Sequence, residues 1–480
     1  MLKQLMVLLV LLATSTVSAA DPATPPFQAG AATSNITPEI GLDIIGGFSP
    51  IPSTHIHDEL HARCLVLDDG HTQIALVVCD LLGVSRSLCL SAREQIQAAT
   101  GIPAENVMIS GTHTHSAASA LGDRWFHSDQ ELNDYQKFVA HRIADGVRRA
   151  VNQLRPAQVG YGAVDVPEHV FNRRWFMKEG SPALVSPFGK TDKVRMNPPG
   201  GVPELIEPAG PIDPTVSYIA VREQHGRMIS IFSAYSLHYV GTGVSADISA
   251  DYFAVFCETL KKLQPASDEH PPFVALMANG TSGDINNINF RTPRPGKPAY
   301  EQMRYVAEDV AKRVHESLGS VAWQQQTTLA ARYRELDVKW RTVEPALLDW
   351  TLETQTKPEN IGKPNDIAVI YAGRVQRLAK ASPETKLPVQ VLRIGDICIG
   401  TSPCETFAEI GLDYRQRSSI KQSFMVELAH GYYGYLPTPR HFELGGYETW
   451  PGTNYLEPTA SEKIMAALLE MTDEVKPSGQ

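Results

Sequence analysis

The sequence predicts an α/β fold: a layered single domain with a large central mixed β-sheet flanked by helices and a metal site at strand ends. Three observations predict it. Apolar strand-like runs alternate with helical patterns along most of the 480 residues. No stretch repeats itself, and the polar, proline-rich stretches at 178–214 and 291–299 read as surface loops, not linkers. No series of short alternating strands near the C-terminus marks an added β-sandwich.

The elements follow in order. MLKQLMVLLVLLATSTVSAA (1–20) has one lysine, an apolar stretch from Leu5 to Ala13, and small residues at Val17, Ala19 and Ala20. That layout is a cleavable export signal, and its apolar stretch is too short to span a bilayer. No later window approaches a membrane span. The expectation is an exported protein, periplasmic or extracellular, with its catalytic domain over 21–480.

ARCLVLDD (62–69) and TQIALVVCD (72–80) read as paired strands with a turn at Gly70-His71. SRSLCLSAREQIQAATG reads as a helix stopped by Gly101. NVMISGTH is the next strand, and 129–152 has helical periodicity. Further strands are AQVGYGAV, VSYIAVRE, MISIFSAYSLH, FVALMANG, PVQVLRIGD, ICIGT and SFMVELAHG. Further helices fit 251–264, 300–317, 366–381 and 405–416. LAARYRELDVKW, after a polar stretch near 330, is a strand at which a second domain could begin; one domain is the expectation.

Composition narrows the function. Hydrophobic residues make up 43 % and charged residues 20 %, as in globular chains. The net charge of −10 becomes −11 without Lys3, which argues against nucleic acid or an anionic membrane as partner. The six cysteines, at 64, 79, 89, 257, 398 and 404, show no C-x-x-C spacing, so a zinc ribbon is not indicated. Export permits disulfides, but Cys64, Cys79 and Cys398 sit inside apolar strand runs and read as buried free thiols.

The chemistry gathers at strand ends. In ISGTHTHSAAS (109–119), His113 and His115 stand one residue apart after an apolar run. In an extended segment residues i and i+2 share a face, so both rings can reach one point. By itself H-x-H fits a hydrogen-bonded polar pair as well as a metal or catalytic pair. IFSAYSLHYVGTG ends a second apolar run in His238. ICIGTSPCETFAEIG carries Glu405 where a helix is expected to begin, and an acid there also suits the helix dipole. ELAHGYYGYLPTP is a fourth strand-to-loop junction, rich in Tyr and Gly. Two histidines and a carboxylate suit zinc, which keeps a position open for water in catalytic sites. MANGTSGDINNINF (277–290) runs from a buried strand into a polar turn, which serves a ligand or an ordinary Asx-rich turn equally. It is not G-x-S-x-G, so no nucleophile elbow is indicated.

Taken together, these stretches resemble the catalytic domain of the neutral/alkaline ceramidases, zinc amidases that cleave ceramide to sphingosine and fatty acid. The resemblance runs from AATSNITP at Ala31 to about Tyr455. SGTHTHS resembles the family's Thr-His-Thr-His-Ser motif, which implies His113 as a zinc ligand and His115 as a substrate contact. His238 matches the second ligand, PCETF implies Glu405 as the third, and GYLPT implies Tyr435 as the fourth. GGYE places Tyr447, and VFNRR places Arg173, at the substrate. SGDINNINF departs from the family's Gly-Asp-Val-Ser-Pro-Asn: Asn286 stands at the position of the nucleophilic serine, and an amide cannot be deprotonated into a nucleophile at neutral pH. Ser282 is the nearest substitute. The family's C-terminal immunoglobulin-like domain is expected to be absent.

The expected activity is therefore cleavage of an amide or ester bond by a water activated on one zinc ion per chain. His115 would act as acid, base or oxyanion donor. Arg173 and Tyr447 would hold a small-molecule or lipid-like substrate, and Asn286 and Asp284 would orient water or substrate. Two other readings stay open: a zinc enzyme acting on carbohydrate or uronic-acid material, and an inactive metal-binding relative.

Overall fold

The structure is a computed structural model that describes residues 26–122, 130–181, 184–241 and 243–477. The export signal expected at 1–20 lies outside the described residues. Eight strands form the large sheet: β1 (Gln28–Asn35), β2 (His61–Asp68), β3 (Gln73–Cys79), β4 (Val107–Gly111), β5 (Arg155–Asp165), β6 (Thr215–Glu223), β7 (Met228–Tyr235) and β8 (Val274–Asn279). Their order is β8-β7-β6-β5-β1-β2-β3-β4. The interior is antiparallel, and each edge adds a parallel strand, β4 on β3 and β8 on β7. A parallel neighbour requires a crossover. Helices α1 (Arg86–Thr100) and α3 (Asp251–Leu263) supply the two crossovers.

A second sheet holds β9 (Leu329–Lys339), β10 (Glu384–Ile394), β11 (Ile397–Thr401) and β12 (Gln422–Val426) in that order. It packs on one face of the large sheet. Leu65, Leu67, Leu76, Phe232 and Leu276 meet Leu392, Ile399, Phe424 and Val426 in one apolar layer. On the other face, α1 and α2 (Asp134–Val151) cover Val66, Ala75 and Val77. The remaining strands of that face lie under α3 and α4 (Glu301–Ser317). Four further helices are α5 (Pro345–Thr356), α6 (Ile367–Ala379), α7 (Ala408–Arg417) and α8 (Ala460–Glu474). The outer face of the second sheet packs against α6, α7 and α8 through Leu378, Tyr414 and Leu468.

The expected mixed α/β single domain is thus present, with a second sheet as an added layer. Its presence explains why Cys64–Leu67 of β2 and Ile74–Cys79 of β3 are apolar without a break instead of alternating. Successive side chains point to opposite faces, and here both faces are buried. Leu329 joins the shared layer, so the chain beyond 330 completes the same core.

Local chemistry sets the boundaries. Asp68 and Asp69 accept the backbone N–H groups of Gly70, His71 and Thr72 in the turn between β2 and β3. Ser85 caps α1, and Gly101 ends it in the left-handed conformation at φ 79°. All six cysteines are buried and unpaired.

Three expectations change. The stretch 178–214 holds two short strands, Val194–Met196 and Leu205–Pro208, paired with Arg174–Met177. Such short, proline-flanked strands carry no periodicity to detect. The helix expected from 405 begins at Ala408. Glu405 lies instead on a two-residue strand parallel to Tyr435–Leu436, because the loop after β12 supplies a partner for its backbone.

Candidate metal centre

The two edges of the large sheet are tied end to end. The Asn279 side-chain amide, at the end of β8, donates to the Thr112 carbonyl just beyond β4 at 3.3 Å. This closure brings together residues that follow different edge strands. His113 lies two residues past β4 and His238 three residues past β7. Neither His113 nor His115 is extended, contrary to expectation. His113 adopts a left-handed φ of 72°, a conformation that costs a non-glycine residue energy and persists where surrounding contacts enforce it.

Those contacts fix each ring. His113 Nδ1 donates to the Leu82 carbonyl at 2.8 Å, and His238 Nδ1 donates to the Ser282 carbonyl at 3.1 Å. Both rings therefore turn a lone pair on Nε2 inward. His113 Nε2 stands 3.1 Å from His115 Nε2 and 3.3 Å from Glu405 Oε2. His238 Nε2 stands 3.7 Å from the same Glu405 oxygen. Two ligand atoms each about 2.1 Å from a tetrahedral ion lie roughly 3.4 Å apart, so these separations fit one shared ion. His238 Nε2 and Glu405 Oε2 are also buried without any hydrogen-bond partner. Among the described residues, His113, His115 and His238 are the group with ring nitrogens close enough to hold a metal, all within 4.8 Å of one another. The residues present fit a metal ion.

Electrostatics prepares the donors. Burial pushes His238 and His115 well below the usual histidine range, helped by His113 and Arg173, so both are neutral ligand forms near pH 7. Burial opposes the Glu405 carboxylate, but His113, Tyr432 and Tyr435 outweigh it and hold its pKa below the ordinary value. Tyr432 donates to Glu405 Oε1 at 2.6 Å. The buried Tyr435 hydroxyl also favours the Glu405 carboxylate, and burial raises its own pKa well above the usual range.

Arg173 is buried beside this cluster, donating to Glu448 Oε1 and the Gly283 carbonyl, each at 2.8 Å. Its guanidinium lies 5.3 Å from the Tyr435 ring centre. Tyr447 meets Tyr435 edge-on at 5.8 Å. The structure thus gathers His113, His115, His238, Glu405, Tyr435, Arg173 and Tyr447.

Asp284 and Asn286 behave differently. Asp284 gives Oδ1 to the Ala408 N–H at the start of α7 and Oδ2 to the Asn172 amide. Both oxygens secure the frame, holding Asp284 between the start of α7 and Asn172. Asn286 donates to Asn197 at 3.0 Å and accepts the Ile288 N–H. Just before them, Gly283 packs so closely that a Cβ would lie 2.4 Å from the Glu405 carbonyl oxygen. Ser282 is buried behind His238, with Oγ 3.3 Å from Nδ1 and its proton donated to Glu427 at 2.6 Å.

The sequence reading does not single out Tyr432, Glu427 or Glu448. Glu448 directly follows Tyr447, whereas Tyr432 and Glu427 lie in ELAHGYYGYLPTP, the stretch that holds Tyr435. No local signal separates Tyr432 from Tyr435, since only the fold shows which hydroxyl meets Glu405.

The solved structure described as "Ceramidase complexed with C2" superposes with a TM-score of 0.70 at 17 % identity, covering 95 % of this chain and 76 % of that one. A neutral ceramidase from Pseudomonas aeruginosa superposes with a TM-score of 0.68 at 18 % identity, covering 93 % and 74 %. At these identities the likeness establishes the fold. Residues 27–294 match the family model for the N-terminal region of neutral/alkaline non-lysosomal ceramidase. With more than half of its length matched, this chain belongs to the neutral/alkaline ceramidase family of hydrolases.

Proposed function

We propose that this chain is an exported zinc-dependent hydrolase that cleaves an amide (N-acyl) or ester bond through an activated water. One observation carries the reading: His113 and His238 are locked in tautomers that aim Nε2 at Glu405, and His238 Nε2 and Glu405 Oε2 are otherwise orphaned. Buried polar atoms without partners are costly, and a cation at their convergence removes that cost. Zinc held there lowers the pKa of a water towards neutrality and polarises an acyl oxygen.

The chain's own groups supply the remainder. Glu405 stays ionised beside His113, with Tyr432 fixing its second oxygen. Tyr435, stacked near Arg173, would join the ligands of a bound ion. His115, half-buried and stacked on Tyr239 at 3.7 Å, is placed to pass a proton to the departing amine or alcohol. Arg173, pinned by Glu448, and Tyr447 orient the substrate. With Asn286 at the serine position the chain offers no hydroxyl there, and a water activated on a bound metal would attack in its place.

The family supports a lipid-like substrate, and no helix among the described residues is long and apolar enough to cross a membrane. The leader supports export, with 21–480 as the mature catalytic domain; N-terminal sequencing of secreted protein should begin at Asp21. The function is tested by incubating zinc-loaded protein with N-acyl, ester and glycan libraries. Release of fatty acid or alcohol, lost in His113→Ala, is expected. Turnover confined to glycans would overturn the reading.

A further inference from the structure

Beside Tyr447 opens a cavity of about 390 Å³ whose wall includes Phe48, Val185, Arg195, Ile367 and Tyr447. Three of these are apolar yet notably exposed: Phe48 at 47 %, Val185 at 55 % and Ile367 at 39 %. Clustered exposed apolar side chains at a cavity mouth mark a surface that an apolar ligand covers.

Two arginines accompany that wall without a salt bridge to any described carboxylate. Arg195 lines the cavity, and its Nε is buried with no hydrogen-bond partner. Arg374, from α6, lies 5.6 Å from the Phe48 ring centre and 5.4 Å from that of Tyr371. Among the described residues, neither guanidinium makes a hydrogen bond or a salt bridge. Asp192, on the same wall, accepts a hydrogen bond from the Trp450 indole at 2.9 Å and feels the charge of Arg195 without forming a salt bridge to it. This contrasts with Arg173 and Arg174, which share the buried Glu448. Both arginines are only half-buried, and a carboxylate, which a guanidinium grips with two parallel hydrogen bonds, satisfies donors that the protein leaves open. The cavity reaches the metal centre through aromatic contacts: Tyr447 meets Tyr435, and the Arg374 charge acts on Tyr447 and Tyr432.

We propose that the substrate is an anionic N-acyl compound, such as an N-acyl amino acid. Its acyl chain lies against Phe48, Val185 and Ile367, and its acid group is taken by Arg195 and Arg374. Ceramide is uncharged and leaves both arginines unanswered. The assignment names the substrate class for the hydrolase proposed above and rests on that reading for the amide bond. The arginine site itself is read by binding alone.

The probe is the ketone analogue of N-decanoylglycine, in which CH2 replaces the amide N–H so that no hydrolysis occurs, together with its uncharged primary amide. Calorimetric titration of zinc-loaded protein should show the acid binding about 10–100-fold more tightly than the amide, the usual worth of charge-assisted hydrogen bonds. Arg374→Met and Arg195→Met should each erase most of that preference while leaving affinity for the amide unchanged. Melting temperatures confirm folding, and if one variant fails to fold the other carries the test. Equal binding of acid and amide, or a preference that survives in the double variant, overturns the proposal. Displacement of the probe by glucuronate at lower concentration than by decanoate overturns the acyl assignment. A protein that binds the acid but hydrolyses no amide would refute the hydrolase reading and leave the anion site standing.

Discussion

Ser282 Oγ and His238 Nδ1 stand 3.3 Å apart, on the side of the imidazole that turns away from Glu405. The same hydroxyl gives its proton to Glu427 at 2.6 Å. Ser282 therefore supports a ligand from behind and does not face a substrate carbonyl. Ser282→Ala should weaken zinc affinity by about 10–100-fold, the usual effect of removing a group that orients a metal ligand. Activity should return at saturating zinc. An acyl-enzyme trapped on Ser282 and seen by mass spectrometry would sink this assignment.

Metal analysis of the purified protein should find about one zinc per chain. His113→Ala and His238→Ala should each lose it together with all activity. His115→Ala should keep the metal yet lose on the order of 10²–10⁴ in rate, as removal of a positioned proton donor does. Zinc lost in His115→Ala would make His115 a ligand instead, which its 3.1 Å approach to His113 Nε2 also permits.

Glu448 is fully buried between Arg173 and Arg174. Burial opposes its ionisation, but the two guanidiniums hold its pKa below the ordinary glutamate value. Glu448→Ala leaves two buried cations uncompensated and should cost about 3–5 kcal/mol in a denaturant titration. Glu448→Gln, which keeps the acceptor oxygen, should cost less. A loss under about 1 kcal/mol for the alanine variant would show that the arginines find other partners.

His430 gives a pH-dependent test away from the metal. Its Nδ1 stands 2.9 Å from Arg93, and burial, with Arg93 and Arg86, pushes its pKa well below 6.5. The folded state keeps His430 neutral while the unfolded chain takes up a proton. Its contribution is thus full above about pH 6.5 and is lost as pH falls towards the folded value. His430→Gln should flatten the stability curve in that window by up to about 1.4 kcal/mol per pH unit, measured against wild type by thermal melts. Parallel curves would refute the shift.

Asn286→Ser restores the family's nucleophile at a position where Asn286 now holds Asn197. The native reaction should change little, because the water route does not use this side chain. Weak amidase activity towards N-acyl sphingoid lipids should appear, read as sphingoid base release. A large gain in the native reaction would show that the serine route dominates even here.

The large sheet and its helices were legible because burial on both faces leaves unbroken apolar runs such as TQIALVVCD, whose Ile74 and Ala75 enter different layers. His113 and His238 were legible for a related reason: each follows such a run, where a strand must give way to a loop. The left-handed turn at His113 was not, since φ at one residue is set by the Leu82 carbonyl and the ring contacts around it. Arg195 and Arg374 were invisible too, because an unpaired guanidinium is defined by what fails to surround it.

By itself the sequence determined the α/β class, the strand ends and the residue types that suit a metal, since these depend on periodicity and local chemistry. Only the tertiary structure decided which tyrosine meets Glu405, that Asp284 caps α7, and that two edge strands meet at Asn279 and Thr112. The reason is physical: side-chain partnership depends on the curl and stacking of two sheets, and no local stretch encodes which distant residue will lie within 3 Å of another.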